Sequence, residues 1–157
     1  MAAQISRDLE GKNPLFLAVL NGSFVFAADL FRRITIPAEI SFIKFASYEG
    51  TTSTGVVKEV IGLSENLAGR TVVIVEDIID SGRTLSHLSR YLKLKGAKSV
   101  RTCTLLDKPD RRVVDVDVEY TGFRIPDEFV VGYGLDVNEK YRNLPYVGIL
   151  KPEVYTK

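Results

Sequence analysis

Short apolar runs alternate with segments of helical periodicity along most of the chain. Strands are predicted at residues 15–20, 39–46, 56–61, 72–75, 100–106, 113–123, 129–131 and 147–150. Helices are predicted where apolar residues recur every three to four positions, over residues 4–9, 24–31 and 85–95. Because strands and helices of this length alternate, we predict an α/β domain with a mainly parallel sheet and right-handed crossovers.

Two helix ends carry local signals. Ser23 precedes the helix at 24–31 and is a suitable N-cap, and Gly96 follows the helix at 85–95 in the usual C-terminal position for glycine. The aromatic residues Phe24, Phe26 and Phe31 could serve either the core or a subunit interface, and we expect them in the core.

Residues 72–85 read as a strand, an anion-binding loop and the start of a helix. Four β-branched residues at 72–75 predict a strand buried on both faces, with Glu76 and Asp77 at its end. Residues 80–84 then offer backbone N–H groups, a glycine, two hydroxyls and a guanidinium, which suit a phosphate at a helix N-terminus. Ordinary helix capping is the alternative, and the apolar Ile78 and Ile79 between the acids weigh against it. The stretch is not a P-loop, because it lacks the lysine and the first glycine.

Three polar segments fall at predicted strand ends. They are residues 21–22, 76–84 and 107–108, and in a parallel sheet the carboxyl ends of strands converge on one pocket. The charged residues 107–112 by themselves favour a solvated loop. Residues 47–55 are polar and glycine-flanked, so they predict a passive surface loop or a mobile lid with equal weight.

Composition narrows the function classes. The 157 residues are 45% hydrophobic, which predicts one domain with a substantial core. The 21 basic and 20 acidic residues give no broad basic footprint, so neither nucleic acid nor membrane is an expected partner. The apolar run at 15–20 is too short to span a bilayer or act as a secretory signal, so a cytoplasmic location is expected. Cys103 is expected to be a core thiol, and the single histidine, His87, is not expected to bind metal.

The stretch VVIVEDIIDSGRTL (residues 72–85) closely resembles the signature loop of the type I phosphoribosyltransferases. Four further stretches are similar, in the right order, to the hypoxanthine-guanine branch: LAVLNGSFVFAADL (17–30), SFIKFASYEGTTSTG (41–55), LLDKP (105–109) and FVVGYGLDVNEKYRNLPYVG (129–148). The resemblance covers nearly the whole chain. It implies a mainly parallel central sheet flanked by helices, with a small hood drawn partly from residues 107–157. Family members usually begin earlier, so the N-terminus is expected to be shortened, and Val137 stands where the family has an aromatic residue.

The resemblance implies a site for phosphoribosyl pyrophosphate. Glu76 and Asp77 would hold the ribose hydroxyls, residues 80–84 would hold the 5′-phosphate, and the loop at 21–22, where the family has a non-proline cis peptide, would meet pyrophosphate. The full implied set is Asn21, Gly22, Glu76, Asp77, Asp80, Ser81, Gly82, Arg83, Thr84 and Arg142. Ser47 and Tyr48 match the family's lid over the reacting centre.

The resemblance also implies a purine site and a metal site. Asp80 would exchange a proton with the purine N7 and Lys108 would donate to the 6-oxo group, which rejects adenine. The remaining implied purine contacts are Ile78, Phe129, the backbone of Val130 and Asp136. A Mg²⁺ cofactor is implied, with Glu76, Asp77 and Asp136 as its candidate ligands.

We therefore expect a magnesium-dependent enzyme that makes inosine or guanosine monophosphate and forms a homodimer or homotetramer. One alternative is a non-catalytic regulator that senses a nucleotide while binding nucleic acid, which would need a basic face. Another keeps the chemistry and changes the base to xanthine or a pyrimidine. The main expectation requires Lys108 to lie beside Asp80 in one cleft.

Overall fold

The structure, a computed structural model, describes residues 1–47 and 57–155. Within these residues one sheet has the order β3-β2-β1-β4-β5-β6. Its strands are β1 (Leu15–Leu20), β2 (Glu39–Ser47), β3 (Val57–Ile61), β4 (Thr71–Ile79), β5 (Ser99–Asp107) and β6 (Tyr120–Arg124). All neighbouring pairs are parallel except β2 and β3, which are antiparallel. The predicted α/β class and mainly parallel sheet are confirmed.

Helices cover both faces of this sheet, and a small second sheet follows it. The helices are α1 (Ala2–Asp8), α2 (Phe24–Phe31), α3 (Arg83–Leu94) and α4 (Pro152–Tyr155), with a 3₁₀ turn at Pro109–Arg111. The second sheet pairs β7 (Val130–Val131) with β8 (Gly148–Ile149) in antiparallel fashion, in the region expected to contribute the hood. None of the helices in residues 1–47 and 57–155 has the length and apolar character to cross a bilayer.

The core has two layers because alternate residues of β4 face opposite sides. Val73 and Val75 pack with Phe16 and residues of α1 and α2, whereas Val72 and Ile74 pack against α3. Cys103 is fully buried in the first layer, which confirms the expected core thiol. Phe26 is buried and Phe31 packs edge-on against Phe16. Phe24 is 46% exposed, so the expectation that it lies in the core is wrong.

Strand β4 is longer than predicted. It continues through Glu76 and Asp77 to Ile79, because β5 is equally long and pairs Leu106 with Ile78 and Asp107 with Ile79. Ile78 and Ile79 are therefore strand residues, and the expectation that they lie in the anion loop is wrong. The acids at 76 and 77 are held by a sheet ladder, which fixes their direction more firmly than a loop would.

The predicted strand at 113–123 is wrong in its first part, since only Tyr120–Arg124 pair with β5. The amides of Val113 and Val114 donate instead to the carbonyl of Ser81, at 2.9 and 3.0 Å. Ser23 also differs from expectation. It occupies the N-cap of α2, but its hydroxyl donates back to the carbonyl of Val19 at 2.6 Å and makes no cap bond.

Candidate active site

The carboxyl ends of β1, β4 and β5 meet at one edge of the sheet. Because the three strands are parallel neighbours, the segments that follow them lie side by side there. A cavity of about 260 Å³ opens at this edge. Its lining residues are Val19, Glu76, Ile78, Ile79, Asp80, Ser81, Gly82, Thr84 and Leu85. The strand ends lie side by side as predicted, although of the three predicted segments only residues 76–84 line this cavity.

The loop after β4 has the backbone geometry that an anion site needs. Gly82 has φ of +85° and is the N-cap of α3, as its glycine identity predicts. A Cβ at this position would lie 2.7 Å from the carbonyl oxygen of Val114, so a side chain is excluded by space as well as by φ. The Ser81 hydroxyl accepts from the amide of Arg83 at 3.3 Å. The first turn of α3 is the end at which helices bind anions through their backbone amides.

The acidic doublet, Glu76 and Asp77, lies in strand β4 just before this loop. Glu76 is 7% exposed and Asp77 is half-buried, with its carboxylate accepting from the amide of Ile78 at 2.7 Å. Burial, with the charge and hydrogen bonding of Asp77, raises the pKa of Glu76 well above its ordinary range. Burial also raises the pKa of Asp77, against the opposing hydrogen bond from Ile78. Hydroxyl donors or a cation placed on these oxygens would offset this cost.

The loop after β1 is pressed against the doublet. The peptide bond between Leu20 and Asn21 is cis, so a non-proline cis bond is present one bond before the Asn21–Gly22 pair to which the family resemblance assigns it. A Cβ on Gly22 would overlap the carboxylate of Asp77, and a Cβ on Gly134 would overlap the carbonyl of Gly22. A side chain at position 134 would meet backbone, and one at position 22 would displace the Asp77 carboxylate, so glycine suits both positions.

Lys108 directly follows β5 and lies beside Asp80. Its side chain is 10% exposed, and its Nζ lies 3.7 Å from Asp80 Oδ1 and 4.0 Å from Asp127 Oδ1. Its amide donates to the carbonyl of Ile79 at 3.0 Å. The required proximity of Lys108 to Asp80 is confirmed. Because Asp107 and Lys108 are both buried, the solvated-loop interpretation of this segment is wrong for them.

Asp127 was not found by sequence reasoning. Its oxygens lie 4.0 Å from the ammonium of Lys108 and 3.4 Å from the guanidinium of Arg111. Only its place in the turn between β6 and β7 marked it in the sequence, and many exposed turn acids share that feature.

Asp136 and Arg142 lie together on the connection between β7 and β8. Arg142 donates to the carbonyl of Gly134 at 2.7 Å, and its guanidinium lies 3.4 Å from Asp136 and 3.0 Å from Glu139. Tyr133 of the same connection donates its hydroxyl to Asp29 of α2. Burial and the neighbouring Asp29 raise the pKa of Tyr133 to about 12. These bonds hold the connection against α2 and the loop of Gly22.

Two of the implied purine contacts, Ile78 and Val130, line different cavities. Ile78 lines the smaller cavity with Asp80, whereas Val130 lines a second, more apolar cavity of about 670 Å³ together with Tyr146 and Ile149. Phe129 is 38% exposed, and its carbonyl accepts from the amide of Leu150 at 2.7 Å. Stacking of a base between Ile78 and Phe129 therefore stays a prediction. Of the two implied lid residues, Ser47 ends β2 and Tyr48 lies outside the described residues.

Comparison with known proteins adds independent information. The phosphoribosyl transferase domain family model matches residues 1–138. The hypoxanthine-guanine phosphoribosyltransferase of Streptococcus mutans is 50% identical over 158 residues, covering 100% of this chain and 88% of the relative. Bifunctional protein TilS/HprT of Listeria monocytogenes is 49% identical, and this chain spans 24% of its length.

A solved structure is similar in fold as well as in sequence. The crystal structure of a hypoxanthine phosphoribosyltransferase from Staphylococcus aureus superposes with a TM-score of 0.95 at 45% identity. The match covers 99% of this chain and 85% of that one. The similarity to this structure therefore extends over essentially the whole chain, both in sequence and in backbone fold.

Proposed function

The chain belongs to the phosphoribosyl transferase domain family, and from that premise we propose that it is a magnesium-dependent hypoxanthine-guanine phosphoribosyltransferase acting in purine salvage. It would transfer the phosphoribosyl group of phosphoribosyl pyrophosphate to N9 of hypoxanthine, and of guanine, with release of pyrophosphate. The relatives' names and the geometry of the strand-end cavity support the same activity.

The pairing of Lys108 with Asp80 carries this proposal. Their charged groups lie 3.7 Å apart at the mouth of the anion loop, so one ring could meet both. The ammonium would donate to the 6-oxo oxygen, while the Asp80 carboxylate takes the N7 proton as N9 bonds to the anomeric carbon. Adenine offers no acceptor at position 6, so the hydrogen bond from the buried ammonium to the base would be lost.

The rest of the loop and the doublet would hold the sugar phosphate. The first-turn amides of α3, with Ser81, Gly82, Arg83 and Thr84, would bind the 5′-phosphate, since helix N-termini favour anions. Glu76 and Asp77 would accept hydrogen bonds from the ribose 2′- and 3′-hydroxyls. These bonds would offset the desolvation that raises the pKa of both carboxyls.

Mg²⁺, when bound with phosphoribosyl pyrophosphate, would neutralise charge on the leaving pyrophosphate. Residues 1–47 and 57–155 contain no group of three or more His, Cys, Asp or Glu side chains arranged for a metal. A site of one or two carboxylates fits Mg²⁺, which takes its other ligands from phosphate oxygens and water. Asp136, Glu76 and Asp77 are the candidate carboxylates, while Arg142 and the loop of Asn21 and Gly22 would contact pyrophosphate.

The base would be enclosed from several sides. Phe129 and Ile78 would stack on the two ring faces, and the backbone of Val130 and Asp136 would read the edge that distinguishes hypoxanthine, guanine and xanthine. Ser47 and Tyr48 would belong to a lid that keeps water from the cationic centre. Cytoplasmic location, a single domain and a dimeric or tetrameric assembly stay predictions.

The direct test measures nucleotide formation from hypoxanthine, guanine, xanthine and adenine side by side, with and without Mg²⁺. Hypoxanthine and guanine should react only with the metal, and adenine should not react. Replacing Asp80 by Asn should lower kcat by about 10²- to 10⁴-fold, the usual contribution of general acid–base catalysis, with a smaller effect on phosphoribosyl pyrophosphate binding. Unchanged turnover in D80N would remove the base assignment, and equal turnover of adenine would remove the role of Lys108.

A further inference from the structure

A largely buried ion pair lies directly behind the anion loop, residues 80–84. It joins Asp107, the last residue of β5, to Arg112, which follows the 3₁₀ turn. Their side chains are 8% and 20% exposed, and Arg112 Nη2 lies 2.5 Å from Asp107 Oδ1. Neither residue has a role in the proposed reaction, so the pair needs another explanation.

Arg112 reaches from this pair into the loop itself. Its Nη1 donates to the backbone carbonyl of Asp80 at 3.4 Å, and its Cδ lies 3.2 Å from where a Cβ on Gly82 would stand. The next two amides of the chain donate to the carbonyl of Ser81. The carbonyls of Asp80 and Ser81 are therefore both held on the side of residues 112–114. An anion loop needs this arrangement, because carbonyl oxygens turned into the cavity would repel a phosphate.

Asp107 connects the same pair to the base-recognition side. It immediately precedes Lys108, and its backbone carbonyl accepts from the amide of Ile125 at 2.9 Å. The amide of Lys108 in turn donates to the carbonyl of Ile79 at 3.0 Å. One guanidinium thus links the strand end that carries Lys108 to the loop that carries Asp80.

We propose that Arg112, oriented by Asp107, is a positioning residue that fixes Asp80 and the anion loop relative to Lys108. The inference rests on the proposed function of that site. Arg112 acts through the backbone of residues 80–82 and through Asp107. Replacing Arg112 removes none of the side chains proposed to contact substrate, but it loosens their positions relative to one another.

Kinetics of Arg112 variants test this directly. R112M should lower kcat/KM for phosphoribosyl pyrophosphate by about 10²-fold, the usual effect of misplacing reacting groups by an ångström. R112K should fall between the wild type and R112M, because lysine keeps the charge beside Asp107 but cannot span to the carbonyl of Asp80. In a D80N background, R112M should change kcat by less than about threefold, since residues that act as a unit are not additive.

Two further variants separate positioning from stability. Removing one member of a buried pair destabilises a protein, whereas an apolar pair of similar volume often restores stability. The double variant D107L/R112M should therefore recover the urea midpoint lost in R112M while its kcat/KM stays low. The matched control is R101M, because Arg101 also pairs with a carboxylate, Asp8 at 3.8 Å, but toward the opposite end of β5. It should lose stability without losing kcat/KM.

Binding of ribose 5-phosphate, measured by calorimetry, gives a readout that needs no turnover. It should weaken by about tenfold in R112M, the value of roughly one lost hydrogen bond, and not in R101M. Wild-type activity in D107L/R112M, or an undiminished effect of R112M in the D80N background, would overturn the proposal. If the wild type makes no nucleotide, the proposed function fails, and unchanged ribose 5-phosphate affinity in R112M would then overturn the positioning role separately.

Discussion

Neutralising Glu76 should make the ligand-free protein more stable relative to the wild type as the pH rises. Glu76 is buried beside Asp77, and its folded-state pKa is raised above the ordinary value of 4.5. A raised carboxyl pKa means that the folded protein holds a proton that the unfolded chain has released. Stability is therefore full below the unfolded pKa and is lost as the pH rises toward the folded one. The variant Glu76→Gln keeps the shape and removes this titration.

The magnitude follows from proton linkage. While Glu76 is protonated only in the folded state, the unfolding free energy falls by at most about 1.4 kcal/mol per pH unit, the value for one proton. Gln has no proton to lose, so this slope should be absent from E76Q. The stability difference between E76Q and the wild type should accordingly widen with pH, by up to that amount per unit.

Urea unfolding between about pH 5 and pH 8, with a chelator and no substrate, measures the difference. The matched control is E10Q, which makes the same chemical change at an exposed carboxyl. A stability difference between E76Q and the wild type that stays constant or shrinks with pH would refute the reasoning. It would mean that Glu76 ionises in the folded state as readily as in the unfolded chain.

Three further substitutions test separate contacts. Gly22→Ala should raise the KM for phosphoribosyl pyrophosphate by about tenfold or more, because its Cβ displaces the Asp77 carboxylate. The control Gly148→Ala, whose Cβ would meet the Tyr146 ring at 3.5 Å, should leave this KM unchanged. Equal KM values in the two variants would contradict the prediction. Lys108→Gln should lower kcat/KM for hypoxanthine by about 10- to 100-fold, the value of a charge-assisted hydrogen bond, and reduce the preference over adenine, which a two-base assay checks. The wild type should lose stability as the pH rises from 10 to about 12, because the raised pKa keeps the Tyr133 hydroxyl protonated in the folded state while the unfolded chain ionises. Tyr133→Phe should remove this loss. An unchanged pH profile in denaturant unfolding would refute the prediction.

The sequence predicted features that depend on local chemistry. The four β-branched residues before Glu76 form a buried strand because no neighbouring context competes with that pattern. Gly82 takes positive φ at the start of α3 because glycine does so without strain. The position of Lys108 beside Asp80 followed from the family resemblance and the rule that parallel strand ends converge.

Residues 113–119 show where the same kind of pattern misleads. Val114, Val116 and Val118 alternate with acids, which is the period of an extended chain. The structure uses that alternation to pack Val116 and Val118 against the α3 layer, while the amide of Val114 binds the anion loop. Alternation of apolar and polar residues indicates which side of an extended segment is buried. It does not report whether a neighbouring strand completes the ladder.

The ion pair between Asp107 and Arg112 escaped sequence reasoning for a related reason. Residues 107–112 contain five charged residues and a proline, which is the composition of a solvated loop, but burial is decided by what folds over them. Here the anion loop lies over the pair, so the charges are desolvated together and compensate each other at 2.5 Å. Only the spacing of the two residues, which brackets the 3₁₀ turn, carried a signal, and that signal is weak.

The proposed leaving-group side of the site is built by close backbone approach. Gly134 faces the carbonyl of Gly22, and Gly22 faces the side-chain carboxylate of Asp77, so three segments distant in sequence stack closely. The carbonyl of Gly134 also receives the guanidinium of Arg142 at 2.7 Å. Because Arg142 is fixed to the same stack that contacts Asp77, the groups proposed to meet ribose and pyrophosphate cannot move independently. A packed core transmits such displacements. A shift of the β7–β8 connection should therefore displace the acidic doublet as well, even though the two lie in different sheets.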